Sequence, residues 1–465
     1  MGDETGFLDY LKIQSEKARD WILHENKVRL LTHNDADGVC SSAVIVSALK
    51  ELDIPFHVSS VKQLKKSVIK ELASEKNSLV IFTDFGSGQI ENIEFELLNS
   101  TKVIVLDHHE LKKEVNSENL IHINPHIFGI DGGVEISGAG VSYLFAQNLL
   151  GKKLEHLGYL AVLGAIADNQ ETDKGFISLN RQILENEILY KRINKTNDLK
   201  IYGRKSREIH KALEYCTYPY IPGVSGNQAG AIQFLADIGI DIKNGAKFKT
   251  ISDLNEDEKE KLVTAIVLKR MGNSEAPSDV LGSVYELPKM ESSISDLNEF
   301  STVLNACSKT GNYPTAVSLC LNTENSIKDA MDVVVQYKKE ILNALRFYES
   351  GQSVKETDKC IYLIAGSKIS DTIINTVSSI ISKSRATKKI IVGIADAGED
   401  IKISARNTDE SQEINLKNLI SSVANKIGGE GGGHKNAAGA FIPAGKEQDF
   451  IKMFEDMLNG NCKES

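Results

Sequence analysis

The chain has 465 residues, 41% apolar and 25% charged, with a formal net charge of −10. That length exceeds one ordinary core and calls for two or three domains. The composition is that of a water-soluble globular protein. Bulk charge gives no sign of polyanion binding, so a nucleic acid would have to be met through metal ions and a local basic stripe.

Phe7 to Leu23 mixes apolar and charged residues at helical spacing. It reads as an amphipathic helix, not a signal peptide, and no apolar run is long enough to span a bilayer. The cysteines Cys40, Cys216, Cys307, Cys320, Cys360 and Cys462 are scattered, with no C-x-x-C pair. That spacing argues against a zinc site or a disulfide framework. The expectation is a reduced, cytoplasmic protein with no membrane partner.

Strand and helix patterns alternate through the first third. Val28 to Thr32 reads as a strand and Val39 to Leu52 as a helix. Phe56 to Ser59 reads as a short strand and Ser67 to Ser74 as a helix. The runs Leu79 to Thr83 and Val103 to Leu106 read as buried strands, and Gly138 to Leu150 and Leu157 to Ala167 as helices. This β-α-β rhythm predicts a mostly parallel sheet with helices on both faces. From about Lys191 to Gln352 helical periodicity dominates, with long helices expected at Asn255 to Met271 and Ile327 to Tyr348 and a loop at Gly272 to Pro277. The β-α-β rhythm returns at Cys360 to Ala365, Asp371 to Ser382, Lys389 to Ile394, Ile401 to Ala405 and Leu416 to Lys426, followed by a glycine run. The fold class is therefore α/β. A parallel-sheet domain is expected over 1–215, a helical connector or insertion over 216–352, and a smaller α/β domain over 353–465.

Three chemistry-bearing clusters stand at strand ends. His33-Asn34-Asp35-Ala36-Asp37-Gly38 follows the first strand, Asp84 follows Thr83, and Asp107-His108-His109 follows Leu106. In open α/β sheets ligands collect at the carboxyl ends of strands, which predicts one shared site. Alone, Asp84 reads as a turn residue and Asp168 as a helix-end residue. Together these carboxylates and imidazoles suit Mn²⁺, Mg²⁺ or Zn²⁺. If Asp84 lies beside Asp35 and Asp37, it can bridge two ions, and His108 and Asp168 complete the coordination of the second ion. Paired ions are a common solution for hydrolysing phosphate esters.

The ordered motifs resemble those of the DHH phosphoesterase superfamily. Gly431-Gly432-Gly433-His434-Lys435-Asn436-Ala437-Ala438-Gly439 resembles the signature of the DHH-associated domain. The length, the helical middle and the stretch from Tyr202-Gly203-Arg204 to Pro222-Gly223-Val224-Ser225-Gly226 look most like the archaeal RecJ-type exonucleases. The resemblance implies metal ligation by His33, Asp35, Asp37, Asp84, His108 and Asp168, with His33 two residues before Asp35 where several branches place it four before. It implies that Asp107, His108 and His109 form the catalytic motif, Asp107 and His109 supporting the site and His109 facing the scissile phosphate. It also implies substrate contacts from Arg406, Gly431, Gly432, Gly433 and His434. Successive glycines expose backbone N–H groups to a phosphate, and the planar fork of an arginine meets phosphate oxygens bidentately. A basic stripe from Lys191 to Lys211, with Tyr190 and Tyr202 available for stacking, reads either as a solvated helix face or as a strand-guiding groove.

The function so implied is a two-metal phosphodiesterase using Mn²⁺ (or Mg²⁺), a 5′-to-3′ exonuclease on single-stranded DNA, with RNA as a further candidate substrate, in replication or repair. Two alternatives stand beside it. One is an oligoribonuclease or a hydrolase of cyclic dinucleotides or other small phosphoesters. The other is a mainly structural subunit of a replication complex, since archaeal RecJ-like proteins include partners of the GINS complex and a eukaryotic helicase subunit shares the fold with a degraded metal site.

Overall fold

Apolar runs in the first 125 residues assemble into one sheet. The computed structural model describes residues 2–459 other than 173, 217–218, 272–278, 292, 385–387, 409–413 and 434. Helix α1 (Glu4–Leu23) leads into β1 (Val28–His33), α2 (Ala36–Glu51), β2 (Phe56–Val61), α3 (Lys66–Ser74) and β3 (Leu79–Thr83). Then come α4 (Ile90–Glu96), β4 (Lys102–Leu106), β5 (Leu120–Ile123), α5 (Gly138–Leu150) and α6 (Gly158–Ala167). The strands lie in the order β2-β1-β3-β4-β5, and every pairing is parallel. Val80, Phe82, Val103 and Val105 pack with Ile69, Leu72, Ile90 and Ile93 of α3 and α4. The alternate residues Ile81 and Ile104 are equally buried, and α5 packs on β3 and β4. Burial on both faces explains why these strands read as continuous apolar runs. After β1 the chain moves first to β2 on one side and then to β3 on the other. The β1/β3 boundary is thus a topological switch point, where such sheets hold ligands.

The chain continues through α7 (Ser178–Leu189), β6 (Asn194–Leu199), α8 (Ile209–Glu214), α9 (Gln228–Asp237), β7 (Lys243–Asn244), β8 (Lys247–Phe248) and α10 (Glu256–Arg270). It then forms β9 (Leu281–Glu286), α11 (Leu297–Lys309), α12 (Tyr313–Cys320) and α13 (Ser326–Glu349). The loop expected at Gly272 to Pro277 lies outside the described residues. The structure divides into two compact units, Met1–Asn197 with Ser283–Val334, and Asp198–Gly282 with Val335–Ser465. The single connector expected over 216–352 is therefore shared between them. Leu199, Ile209, Leu213, Phe234, Leu262 and Ile266 build a core of their own. In contrast, Leu297, Phe300, Leu304 and Cys307 form a buried stripe on α11, and this helix packs on α2 and α6 of the first unit.

The second unit also holds β10 (Val354–Glu356), β11 (Cys360–Gly366), α14 (Asp371–Ser384), β12 (Ile390–Ala397) and β13 (Asp400–Arg406). It ends in α15 (Leu416–Lys426), β14 (Glu430–Gly433), β15 (Ala437–Pro443) and α16 (Glu447–Leu458). These strands lie in the order β10-β11-β12-β13-β15-β14, with only β11 and β12 parallel. The glycine run enters the edge strand β14, paired antiparallel with Ala438 to Phe441. Gly433 has φ +137°, and a Cβ there would stand 2.5 Å from the Ala437 carbonyl oxygen. Among the described residues no helix is long and apolar enough to cross a membrane.

Candidate metal centre

The ends of β1, β3 and β4 bring the expected side chains together. Asp35 is the N-cap of α2, and its Oδ1 accepts the Gly38 N–H at 2.9 Å. Its Oδ2 lies 2.7 Å from His33 Nδ1. Two residues on, in the first turn of the helix, Asp37 is fully buried. It accepts the N–H groups of Gly138 at 2.7 Å and Ala139 at 3.0 Å. The positive end of α5 thus faces this carboxylate. Asp84 has φ +61°, in the left-handed region that Asp tolerates better than most residues, and its N–H bonds the Leu106 carbonyl. Its two oxygens face different neighbours. Oδ2 lies 3.5 Å from His33 Nδ1, and Oδ1 lies 3.1 Å from His108 Nε2. His108 Nε2 also lies 3.5 Å from Asp168 Oδ2 and 3.7 Å from Asp37 Oδ2.

Close approach here is not hydrogen bonding. Among the described residues His33 Nδ1, both oxygens of Asp84 and His108 Nε2 are buried without an aligned partner. Orphaned buried polar atoms are costly, and donors converging on a common point fit a bound cation. Three groups among the described residues have ligand atoms close enough to share an ion: His33 with Asp35 and Asp84, Asp37 with His108 and Asp168, and Asp84 with His108 and His109. The oxygen and imidazole donors fit Mn²⁺ or Mg²⁺. His108 is pre-set for that role, because its Nδ1–H donates to the Gly132 carbonyl at 2.7 Å and leaves the Nε2 lone pair free.

The electrostatics carry the same message. Burial pushes the Asp37 carboxyl well up, and Asp84 and Asp168 push it further. Burial also drives Asp168 up to about 7; His108 opposes this, while Asp35 and Asp84 add to it. Burial alone would lower His33 and His108, but Asp35 and Asp84 beside His33, and Asp84, Asp168 and Asp37 beside His108, raise both well above the usual histidine value. The cluster retains protons to balance its carboxylates, a place that a divalent ion can take.

Asp107 plays a different part. Its Oδ2 accepts the Ser87 N–H at 2.8 Å, and its Oδ1 accepts the N–H groups of His108 at 2.8 Å and His109 at 3.1 Å, plus His109 Nδ1–H at 2.8 Å. Burial would raise this carboxyl, but His109, His108 and the Ser87 amide hold it well below the usual range. His109 is nearly half exposed, with its side chain at 47%.

Several residues that hold this site escaped the sequence reading. A Cβ on Gly164 would stand 2.0 Å from Asp37 Oδ1, and one on Gly138 2.6 Å from Asp84 Oδ1. Both glycines let helices approach the carboxylates. Asn124 donates to Ser87 Oγ and to the His109 carbonyl, and Ser87 Oγ pairs with His122 Nε2. The small-residue opening Gly138-Ala139-Gly140 was the available signal for Gly138; Asn124 and Ser87 gave none.

Arg406 and Gly431 to Gly433 lie in the second unit. Arg406 ends β13, with Nε donating to Ser379 Oγ and Nη1 to the Ala405 carbonyl, both at 2.8 Å. Burial lowers the guanidinium to about 10, and no acidic partner pairs with it among the described residues. Beside β15, Gly431 packs on Ser421 and Ile420, and Gly432 faces open space. His434 lies outside the described residues. The basic stripe is only partly available. Arg192 pairs with Glu187 and Arg204 with Asp198. Tyr202 is buried beneath Lys338 and Arg207, so it offers no stacking face, whereas Tyr190 is exposed.

Comparison with known proteins follows the same division. Residues 27–167 match the DHH family, N-terminal domain, residues 201–282 the DHH-CID domain, and residues 357–460 the DHHA1 domain. The uncharacterized protein MJ0831 of Methanocaldococcus jannaschii is 32% identical over 442 residues, 94% of each chain. The single-stranded-DNA-specific exonuclease RecJ of Bacillus subtilis is 27% identical over 165 residues, 34% of this chain and 21% of that one. Among solved structures, RecJ in complex with Mn²⁺ from Thermus thermophilus superposes with TM-score 0.60 at 17% identity, covering 98% of this chain and 55% of that one. CDC45 from Entamoeba histolytica does so with TM-score 0.65 at 10% identity, covering 96% and 99%. At such identities these two likenesses show the fold.

Proposed function

Because the chain belongs to the DHH family, we propose that it is a two-metal-ion phosphodiesterase that degrades single-stranded DNA from the 5′ end. The observation that carries this reading is Asp84, which turns one orphaned oxygen toward His33 and Asp35 and the other toward His108. His33, Asp35 and Asp84 would hold one ion, and Asp37, His108 and Asp168, with Asp84 shared, the second. Bound Mn²⁺ or Mg²⁺ supplies Lewis acidity at the phosphoryl oxygens and lowers the pKa of water. The chain's own residues supply position. His109, its Nδ1 fixed on Asp107, is left with Nε2 to meet a phosphoryl oxygen. Arg406, a guanidinium without an acidic partner among the described residues, suits a substrate phosphate, as do the outward-facing N–H groups of the edge strand at 431–433, together with His434.

The preference for single-stranded DNA is supported by the similarity to the Bacillus subtilis exonuclease. A purely structural role would have no use for buried donors that converge without bonding one another, although the CDC45 likeness is compatible with an enzyme that also docks the GINS complex. A cytoplasmic setting completes the proposal. The test is incubation with Mn²⁺ and DNA or RNA oligonucleotides labelled at either end, with Asp37→Asn as control. Release of mononucleotide from the 5′ label on DNA, abolished in the variant, is expected. Intact long strands, or equal turnover by the variant, would refute the assignment.

A further inference from the structure

We propose that Asn305 and Ser308 of α11 are positioning residues that hold the loop His33–Asp37 in register for its metal, resting on the reading of that loop as a ligand loop. The contacts join residues some 270 positions apart. Asn305 Oδ1 accepts the Ala36 N–H at 3.3 Å, and Asn34 Nδ2–H donates to the Ser308 carbonyl at 3.1 Å. On its other side Asn34 Oδ1 accepts from Ser60 Oγ at 3.1 Å. The Ala36 N–H belongs to the first turn of α2, where no intrahelical acceptor exists, so Asn305 fills that vacancy from outside. Tyr313 Oη–H donates to Ser42 Oγ at 2.7 Å and fixes α12 on α2 as well. This segment lies outside all three matched family regions, so nothing in those likenesses assigns it a role.

The clamp is selective. Asp37 is anchored independently by two N–H groups of α5. Asp35 is held by the Gly38 N–H of its own helix and by the loop that α11 holds, where Ser308 Oγ–H also reaches the Asp35 carbonyl at 3.5 Å. Loosening α11 should therefore weaken the ion bound by His33, Asp35 and Asp84 more than the ion bound by Asp37, His108 and Asp168. Residues that orient metal ligands from behind commonly change metal affinity by about 10- to 100-fold.

The experiment is Mn²⁺ titration of the full chain by calorimetry and electron spin resonance, which needs no turnover. Asn305→Ala is expected to weaken one of two Mn²⁺ equivalents at least about tenfold and leave the other near wild type. Asn305→Asp, which keeps the acceptor, should restore the first. Asn34→Asp, which loses the donor to Ser308 but keeps Oδ1, should reproduce the Ala defect and serves if Asn305→Ala does not fold. Unchanged affinities in a folded Asn305→Ala protein would overturn the proposal, as would equal loss at both ions without rescue by Asp. Two bound Mn²⁺ in a wild-type protein that leaves DNA intact would sink the proposed function but leave the clamp standing.

Discussion

Replacing Gly164 by Ala tests how tightly the second ligand group is built. In an ordinary helix interior this change stabilises by about 1 kcal/mol. Here the new Cβ would lie 2.0 Å from Asp37 Oδ1 and 2.6 Å from the Ala139 Cβ. Neither neighbour can step aside freely, because Asp37 is held by two N–H groups of α5 and Ala139 belongs to that helix. Overpacking costs about 1–3 kcal/mol, and a lost hydrogen bond to a charged group about 1.5–3 kcal/mol. Set against the helix gain, the net is a loss of roughly 2–5 kcal/mol. Asp168 lies four residues on, on the same face of the helix end, so it withdraws with α6. The assay is denaturant unfolding in EDTA and again with Mn²⁺. The wild type should gain about 2.7 kcal/mol at one hundred times its dissociation constant, and the variant clearly less. A Gly164→Ala protein as stable as wild type, with the full Mn²⁺ gain, would refute the packing argument.

Metal-free protein should lose stability as pH rises from about 4 towards 8. Folded Asp168 keeps its proton up to about 7 against 3.8 in a free chain, so over that window the folded state binds more protons than the unfolded one. His33 and His108, raised by their carboxylates, act in the same direction from the ordinary histidine value upward. Melting curves across that range should slope downward in EDTA and flatten with Mn²⁺; an upward slope in EDTA would contradict the site electrostatics. Asp168→Asn should reduce the slope in EDTA and abolish DNA cleavage, read by the same melts and an end-labelled assay. Asp107→Ala strands four donors at once and should cost at least about 3 kcal/mol along with activity, whereas a stable but inactive variant would give Asp107 a chemical role. Arg406→Ala should raise KM on single-stranded DNA, lower the salt slope of binding by about one and leave the Mn²⁺ stoichiometry at two; an unaltered slope would remove Arg406 from the phosphate path.

Much of this was readable because the sheet is buried on both faces. Runs such as Leu79 to Thr83 and Val103 to Leu106 admit few other readings, and each delivers a carboxylate just past its end. β5 escaped because it has four residues with His122 among them. The glycine run gave no strand signal, because its composition signals freedom and its pairing with Ala438 to Phe441 depends on a partner strand that only tertiary structure supplies. The helical middle looked uniform because periodicity reports that a helix has an apolar stripe and not which unit covers it. Arg204 and Tyr202 read as binding groups for the same reason, since burial is a property of their neighbours. The expected ligands came together as a group because all but Asp168 hang from strand ends. The residues that hold them, Gly164, Asn124 and Asn305, carry no chemistry to betray them.

The return of α11 to the first unit also sets an order of events during synthesis. Every proposed metal ligand has left the ribosome by Asp168, yet Asn305 follows 137 residues later. At about 5–20 residues per second the nascent chain carries an unclamped ligand loop for on the order of ten seconds. Non-local contacts of this span form late in folding. A hydrolase arranged in this way comes into its working form only once most of its own chain has been made.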